Sequence, residues 1–417
     1  MKLLIFGTNY APEPTGTGKY TSELAAWLAG RGHAVEVLTA VPHYPAWSVN
    51  EAYRGRGFIR EEIDKVQVLR TPLLLPKISA GSLGSRIVLE SSFNAAALRW
   101  WVPFLARRQH DAVLAICPPL QTALWPWLYQ SLHRVPWIFH LQDLQIDAAL
   151  QLHMLPLPKL LERRLFAIER FFLRRSTRVS TITGRMRERL IEKGVAADNL
   201  WLLPNWADID FVHPQPRLNP LRERLGFGGS DIVVLYSGSM GEKQGLDIVL
   251  DAAGRLAHNH RLRFVLVGEG PARTDLEERA KRAGLSNVYF FDLFAWDEVP
   301  SLLATGDIHL VVQKREAADL VMPSKLTNIL AAGRVSIATA DPDTELHRVL
   351  NDHRAGILVP PGDSEQLAGA IERLAEDPNL RAEYGANARR CAEQQLDKGA
   401  ILERLESRLL SLIGSPQ

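Results

Sequence analysis

Cysteine is nearly absent from this sequence: its 417 residues include only two, Cys117 and Cys391. Two thiols are too few for a disulfide framework or for a metal site built from several cysteines. Such sparse use of cysteine is typical of proteins that fold in a reducing compartment. The sequence therefore predicts a cytoplasmic protein.

Long hydrophobic runs are also missing. No apolar segment reaches the roughly 18 residues that a helix needs to cross a bilayer. Met1 and Lys2 lead straight into a strand-like run, without the pattern of a secretory signal peptide. We therefore expect neither a membrane span nor a leader.

An excess of charge of one sign is lacking overall, because the net charge is only +2. This balance gives no reason to expect nucleic acid as a partner. The charge is nevertheless uneven, since residues 1–210 carry 25 Lys and Arg against 18 Asp and Glu, and the remainder is acidic. A basic first half indicates an anionic ligand or surface on that side.

Short apolar runs alternate with helix-period stretches, which is the pattern of parallel βαβ units. The first half contains six predicted strands, at residues 3–7, 34–39, 66–70, 112–116, 137–140 and 178–181. The pattern restarts after a proline-rich passage, with strands at residues 232–236, 263–267, 287–291, 308–312, 335–338 and 356–359. The sequence thus predicts two doubly wound α/β domains, each with a parallel sheet.

The proline-rich passage at 213–220 sets the predicted domain bounds. We expect a first domain at 1–212, a second at 213–395, and a C-terminal helix at 396–417. That helix either caps the second domain or crosses back to the first. Open α/β sheets bind ligands outside the carboxyl ends of their strands, so we expect a ligand between the two domains.

A glycine-rich loop follows the first strand in the stretch NYAPEPTGTGKYTSELAAWL, Asn9–Leu28. It fails the phosphate-loop pattern G-x4-G-K-[ST], because a tyrosine follows the lysine and Glu13 replaces the first glycine. It also lacks the third glycine of the dinucleotide fingerprint. Gly16 and Gly18 still allow backbone amides at a helix start to approach a diphosphate or a sugar closely. An ordinary flexible loop is the alternative.

This loop resembles that of the retaining family 4 of the GT-B glycosyltransferases. The family's first loop commonly reads GGIGRYxxEL and is followed by GHxVxVxT, where this chain has TGTGKYTSEL and then GHAVEVLT. The resemblance implies the GT-B fold, in which two Rossmann-like domains face each other across a cleft. It also implies that the loop closes over the diphosphate of a nucleotide-sugar donor.

Further motifs follow in the family's order. PWIFHLQD, at residues 136–143, resembles the strand end whose His or Asp faces the transferred sugar, so His140 and Asp143 are candidate catalytic residues. A His and an Asp three residues apart after an apolar strand can orient a sugar or acceptor hydroxyl. An ordinary polar strand end is the alternative.

Cations for the donor diphosphate are predicted in the second half. LYSGSMGEKQGL, at residues 235–246, resembles the family's YVGRLxxEKG, so Lys243 is expected to stabilise the departing phosphates beside Gly238 and Ser239. The serine stands where the family has arginine, so one of two expected cations is missing here.

A second anion site is predicted at a helix start within MPSKLTN, residues 322–328. Pro323 precedes Ser324 and Lys325, which together with free backbone amides can bind phosphate. The family's E-x7-E pattern has lost both acids here, and the second of them is replaced by Asn328, which is expected to bind the ribose. A plain helix cap with a surface lysine is the alternative.

The Pro-Ser-Lys run resembles a bacterial exopolysaccharide branch of the family, that of the colanic-acid fucosyltransferases, and this implies GDP-fucose as donor. VGEGP, at residues 267–271, matches a family turn and adds Gly268 and Gly270 to the donor site, and Leu293 is the implied backbone contact of the base. The pair Asp208 and Asp210 looks superficially like a metal site but belongs to a turn motif. We therefore expect neither a metal nor a cofactor besides the donor.

Two segments mix aromatic or aliphatic residues with arginines. One is LLERRLFAIERFFLRR at 160–175, and the other is Arg99 to Trp101 with Phe104, Arg107 and Arg108. Such faces can lie on anionic lipid, where a polyprenyl-diphosphate-linked sugar would be a suitable acceptor. Amphipathic packing against the protein core is the alternative.

Together these patterns predict a retaining, metal-independent glycosyltransferase. It would move a sugar from a nucleotide-diphosphate donor to a glycan or lipid-linked acceptor of a bacterial surface polysaccharide, on the inner face of the membrane. Two rivals stay open. One is a nucleotide-sugar epimerase or hydrolase of the same fold, and the other is a non-catalytic binding protein, suggested by the missing arginine and acids.

Overall fold

The computed structural model describes residues 1–13, 16–44, 47–75, 83–147, 158–315 and 322–414. The chain divides into two compact units, the first made of residues 1–204 with 402–417 and the second of residues 205–401. The division thus falls eight residues before the predicted one, and the proline-rich passage lies inside the second unit.

The first unit is built on an eight-stranded sheet. Its strands are β1 Lys2–Phe6, β2 Ala34–Ala40, β3 Ile59–Ile63, β4 Val66–Thr71, β5 Ala112–Cys117, β6 Trp137–Leu141, β7 Arg178–Thr181 and β8 Leu200–Leu202. They lie in the order β3-β4-β2-β1-β5-β6-β7-β8. Neighbouring strands are parallel except β3 and β4, which pair in antiparallel fashion.

Helices alternate with these strands. Those of the described residues are α1 Gly16–Gly30, α2 Leu83–Ala106, α3 Leu124–His133, α4 Lys159–Arg175 and α5 Gly184–Glu192. The side chain of Phe6 packs between Phe93 and Trp101, with ring centroids 5.4 Å apart in both cases. Because helices cover the central strands, these strands are continuously apolar rather than alternating.

The second unit contains a six-stranded, wholly parallel sheet. Its strands are β9 Ile232–Ser237, β10 Leu262–Val267, β11 Val288–Phe291, β12 Ile308–Val311, β13 Ser336–Thr339 and β14 Gly356–Val359, in the order β11-β10-β9-β12-β13-β14. Its described helices are α6 Pro220–Arg224, α7 Asp247–Arg255, α8 Arg273–Arg282, α9 Val299–Thr305, α10 Ser324–Ala331, α11 Glu345–Asp352, α12 Ser364–Glu376 and α13 Pro378–Cys391.

The last helix, α14 Lys398–Gly414, begins in the second unit and continues in the first. Its Glu406 accepts a hydrogen bond from His33 at 2.7 Å and forms an ion pair with Arg31 at 3.1 Å. The first unit is therefore completed by residues from the far end of the chain.

Both sheets reverse their strand order beside one strand. In the first unit β1 lies between β2 and β5, and in the second β9 lies between β10 and β12. Crevices at such reversals, outside the carboxyl ends of the strands, are where open α/β sheets bind ligands. Each unit therefore has one crevice at which a site is expected.

The predicted fold of two doubly wound parallel sheets is confirmed. Each of the twelve predicted strands is present, with its ends displaced by at most one residue. The sequence analysis missed β3, which carries three charged residues among five, and β8, which is three residues long. Edge strands of this kind bury little apolar surface and so leave little hydrophobic signal. No described helix combines the length and the apolar character that a bilayer span requires.

Candidate functional site

The crevice of the second unit is formed by the loops after β9, β10 and β12 and by the start of α10. Backbone hydrogen bonds join these loops: the Gly238 amide donates to the Val267 carbonyl at 2.9 Å, Met240 to Glu269 at 2.8 Å, and Lys314 to Lys243 at 2.9 Å. Hydrogen bonds thus join the loops at three strand ends into one continuous surface.

Two of these loops approach each other so closely that only glycine fits. Gly268 has a φ of +152°, and a Cβ atom there would lie 1.9 Å from the Gly238 carbonyl oxygen. Gly270 has a φ of +149°, and a Cβ atom there would lie 2.5 Å from the Met240 carbonyl oxygen. The two predicted glycines therefore let the β9 and β10 loops pack backbone to backbone.

Lys325 carries a buried amine at this crevice. Its Nζ lies 3.8 Å from the centroid of the Tyr236 ring, and a Cβ atom on Gly238 would lie 3.1 Å from it. Among the described residues, this nitrogen has no hydrogen-bond acceptor. Burial lowers the pKa of Lys325 to about 7, because the charged form loses its hydration.

An acceptor oxygen would stabilise this amine, because a buried polar group without a hydrogen bond is costly. Its surroundings favour an anion as well. Pro323 precedes the first turn of α10 without a side-chain cap, and Ser324 is exposed at the first helical position. The positive end of the helix dipole therefore points outward there, and Asn328 is half-buried one turn further on.

Lys243 lies exposed in the short turn Glu242–Gln244. The residue bonded to its carbonyl is Lys314, a second exposed lysine that the sequence analysis missed. The stem of Lys314 packs at Gly245, where a Cβ atom would lie 2.8 Å from the Lys314 Cγ. Its signal in the sequence was a basic pair that begins two residues after the end of a predicted strand. The loops around Ser239, where the family has arginine, thus contain another cation.

The loop after β11 holds the predicted base contact, Leu293, whose side chain is exposed. Arg273 donates to the Gly268 carbonyl at 3.0 Å and to the Asp292 carboxylate at 2.5 Å. This arginine, which the sequence analysis did not identify, therefore joins the β10 loop to the loop that carries Leu293.

Four predicted residues lie in the first unit. Gly16 begins α1 at a φ of +61° and lines a cavity of about 330 Å³ at the ends of β1 and β5. Gly18 is buried, and a Cβ atom there would lie 3.2 Å from the Glu13 carboxylate. The structure thus places only the first of these glycines at the cavity surface, whereas the second makes room for Glu13.

His140 is buried in β6, and both of its ring nitrogens have partners. Nδ1 lies 2.9 Å from the Ser180 hydroxyl and Nε2 lies 2.9 Å from the Gln142 amide nitrogen. Burial lowers the pKa of His140 to about 4, so the ring is neutral at pH 7. The Gln142 side chain would have to turn away before His140 could contact a ligand.

Asp143 is half-buried two residues after the end of β6. Burial raises the pKa of the Cys117 thiol, and the negative charge of Asp143 raises it further. The carboxylate thus lies close enough to the β5 end to act on it electrostatically. Leu320, which replaces the first family acid, lies outside the described residues.

Comparison with known proteins gives two family matches. The model described as a glycosyl transferase 4-like domain matches residues 15–206, and that of the glycosyl transferases group 1 matches residues 219–391. A protein of Escherichia coli (strain K12) described as the colanic acid biosynthesis glycosyl transferase WcaI is 40% identical over 414 residues, which cover 97% of this chain and 98% of the relative.

Solved structures show the same fold. Sucrose-phosphate synthase from Thermosynechococcus elongatus superposes with a TM-score of 0.75 at 17% identity, covering 100% of both chains. Anabaena Alr3699/HepE in complex with UDP superposes with a TM-score of 0.72 at 17% identity, covering 99% of this chain and 100% of that one. At these identities the likeness concerns the fold alone.

Proposed function

The chain belongs to the GT-B glycosyltransferases, with a family 4-like first domain and a group 1 second domain, and on this premise we propose its reaction. It transfers a sugar from a nucleotide-diphosphate donor to a glycan or lipid-linked acceptor during synthesis of a bacterial surface polysaccharide. The relative from Escherichia coli, which is assigned to colanic acid biosynthesis, supports this class of product.

The observation that carries the proposal is the buried amine of Lys325 in the second-unit crevice, which has no hydrogen-bond acceptor among the described residues. A donor diphosphate lying against the start of α10 would give this amine its missing anionic partner. Lys243 and Lys314, exposed on the adjoining loops, add positive charge at the same crevice. These side-chain cations would balance the negative charge of a diphosphate, so we propose that no divalent metal is required.

In the proposed step, the bond between the sugar C1 and the donor phosphate oxygen breaks, and its electron pair stays on that oxygen. The negative charge that develops there is stabilised by the fixed cations, which need no reorganisation during the reaction. The acceptor hydroxyl oxygen bonds to C1, and its proton passes to a donor phosphate oxygen. His140 or Asp143 positions the sugar or the acceptor hydroxyl. The anomeric configuration is retained, as the family resemblance implies.

GDP-fucose is the donor that we propose. The feature that supports it is the Pro-Ser-Lys start of α10, which resembles the fucosyltransferase branch of the family. The base would lie at the loop that carries Leu293, next to the Arg273 contacts.

The test is a thermal-shift screen of GDP-, UDP- and dTDP-sugars, followed by product analysis with EDTA present. We expect GDP-sugars to stabilise the protein more than UDP- and dTDP-sugars, and we expect transfer to a polyprenyl-diphosphate-linked sugar to proceed in EDTA with retention. Little free sugar should appear when acceptor is present. An epimerised nucleotide sugar, predominant hydrolysis, or turnover that depends on added metal would contradict the proposal.

We also propose that α4 contacts an anionic membrane surface. Its side chains Leu160, Leu161, Ile168 and Phe171 are 39–63% exposed, and Arg164 and Arg175 lie on the same exposed face. Apolar side chains flanked by arginines suit the boundary between lipid tails and anionic headgroups. In the predicted second basic-aromatic segment, Trp101 and Phe104 are buried in the core, so these two side chains do not face lipid.

Ile168→Glu is expected to weaken binding to anionic vesicles at least tenfold, because it removes an apolar contact and adds negative charge to the basic face. Sedimentation with phosphatidylglycerol-containing vesicles measures this. Leu218→Glu is the matched control, since Leu218 is equally apolar and 57% exposed but belongs to the second unit. Equal losses in both variants, or none in Ile168→Glu, would contradict the membrane role of α4.

A further inference from the structure

Tyr236 is a fully buried residue near the end of β9, and the reaction proposed above does not use it. Its side chain has two contacts at the second-unit crevice, one with Lys325 and one with Ser239. We infer that Tyr236 is a positioning residue of the donor site: its ring holds the Lys325 amine in the crevice, and its hydroxyl holds the turn that carries Ser239. The inference rests on the proposed function, because the donor is the ligand for which these contacts prepare the crevice.

The first contact joins the face of the ring to the amine. Lys325 Nζ lies 3.8 Å from the centroid of the Tyr236 ring, within the roughly 6 Å over which an aromatic face attracts a cation. This nitrogen has no hydrogen-bond acceptor among the described residues, so the ring replaces part of the hydration that burial removes. An ammonium held in this way keeps its three N–H donors for phosphate oxygens.

The ring also affects the charge of the amine. Burial lowers the pKa of Lys325 to about 7, and the electron-rich ring face opposes this effect because it favours the charged form. The ionisable side chains on the surrounding loops include Lys243 after β9, Glu269 after β10 and Lys314 after β12, and all three are exposed. Because water screens exposed charges, we expect the ring to influence the amine more than they do.

The second contact joins the hydroxyl to the backbone of the turn after β9. The Tyr236 hydroxyl donates to the Ser239 carbonyl at 2.5 Å. Burial raises the pKa of this hydroxyl, so it stays protonated and remains a donor. Gly238 lies between the two contacts, since a Cβ atom there would lie 3.1 Å from Lys325 Nζ and 4.0 Å from the Tyr236 hydroxyl oxygen. One side chain thus holds both the turn after β9 and the amine from α10.

This arrangement lowers the cost of binding a diphosphate. A turn and an amine that already have their bound positions lose little freedom when the donor arrives. The Tyr236 hydroxyl is used by Ser239 and its ring face by Lys325, so neither group is assigned to the donor itself. Tyr236 therefore acts on the donor through these two residues.

NMR titration of the free, full-length protein tests the ring contact, with carbon-13 at the lysine Cε atoms. The Lys325 signal is assigned by its absence in Lys325→Met. We expect its midpoint near pH 7 in wild type and in Tyr236→Phe, and about one pH unit lower in Tyr236→Leu, which lacks the ring. Tyr289→Leu is the matched control, because Tyr289 lies in β11 of the same sheet and packs against Phe227. A wild-type midpoint in Tyr236→Leu, or an equal shift in Tyr289→Leu, would overturn the role of the ring.

Calorimetry with a nucleotide sugar extends the test to the donor. Tyr236→Phe keeps the ring but loses the hydrogen bond to Ser239, so we expect its donor affinity to fall about two- to tenfold at every pH. Relative to Tyr236→Phe, Tyr236→Leu should bind about eightfold more weakly at pH 7.5 but only about twofold more weakly at pH 6, as a downward shift of one pH unit requires. Unchanged affinity in Tyr236→Phe would overturn the role of the hydroxyl.

The two measurements separate this inference from the proposed function. A wild-type chain that binds no nucleotide sugar would refute the proposed function and the donor role of Tyr236 with it. Normal donor binding in wild type, with wild-type titration and affinity in both Tyr236 variants, would refute only the positioning role.

Trifluorophenylalanine at position 236 decides the role of the ring where Tyr236→Leu does not fold, as a lowered melting midpoint and lost nucleotide binding would show. Fluorine withdraws charge from the ring face while the size of the ring is nearly kept, so the attraction to a cation weakens. We expect the Lys325 midpoint to fall below that of Tyr236→Phe. Equal midpoints in these two variants would overturn the inference.

Discussion

Lys325→Met is expected to lower kcat/KM for the donor by about 10²–10³-fold, the usual loss when one fixed group that stabilises the transition-state charge is removed. Methionine keeps an unbranched side chain that can rest against the Tyr236 ring, so the packing beside Gly238 is preserved while the charge is lost. Steady-state kinetics and nucleotide calorimetry measure the effect.

The Lys325→Met change should not destabilise the folded protein. The Lys325 amine is buried without an acceptor among the described residues, so its removal relieves a desolvation cost. We therefore expect the melting midpoint to be unchanged or higher. Lys281→Met, which alters an exposed lysine near the end of α8, is the control and should retain full activity. Full activity in Lys325→Met, or equal losses in both variants, would show that the donor phosphates are held elsewhere.

Donor affinity is expected to fall as the pH rises above about 7. The free protein holds the pKa of Lys325 at about 7, and only the protonated ammonium attracts phosphate. Affinity should be nearly constant below this pH and should then decrease, approaching tenfold per pH unit. The decrease ends at the higher pKa that Lys325 acquires once an anion lies beside it.

Calorimetry between pH 6 and 8.5 measures this dependence. A nucleotide sugar is a better probe than a nucleoside diphosphate, because a free terminal phosphate itself titrates near pH 6. The slope should disappear in Lys325→Met and persist in Lys281→Met. Affinity that rises with pH, or a slope that survives in Lys325→Met, would assign the titration to another group.

The sequence predicted the strands well because buried parallel strands are continuous apolar runs bounded by turns, and both features are local. The crevice lysine at 325 was also predictable, since a motif placed it at a helix start. Its contact with Tyr236 was not, because 89 residues separate the two along the chain and only the order of strands brings them together.

The residues that the sequence analysis missed share one property: each has at least one partner in another loop. Arg273 acts on the Gly268 carbonyl and on Asp292, and Glu13 acts on backbone amides some 30 residues away. The prediction that Trp101 and Phe104 face a membrane was wrong, because both side chains are buried in the core. A basic-aromatic pattern on a helix is compatible with a surface position and with a core position. Only the packing of α2 decides between them.

The return of α14 to the first unit has a consequence for gene engineering. The first unit is not encoded by one uninterrupted stretch, because residues 402–417 complete a body that begins at Met1. A chimera that exchanges donor halves between related enzymes must therefore keep the last 16 codons with the N-terminal parent. A simple cut at codon 204 would leave His33 and Arg31 facing a foreign helix in place of Glu406.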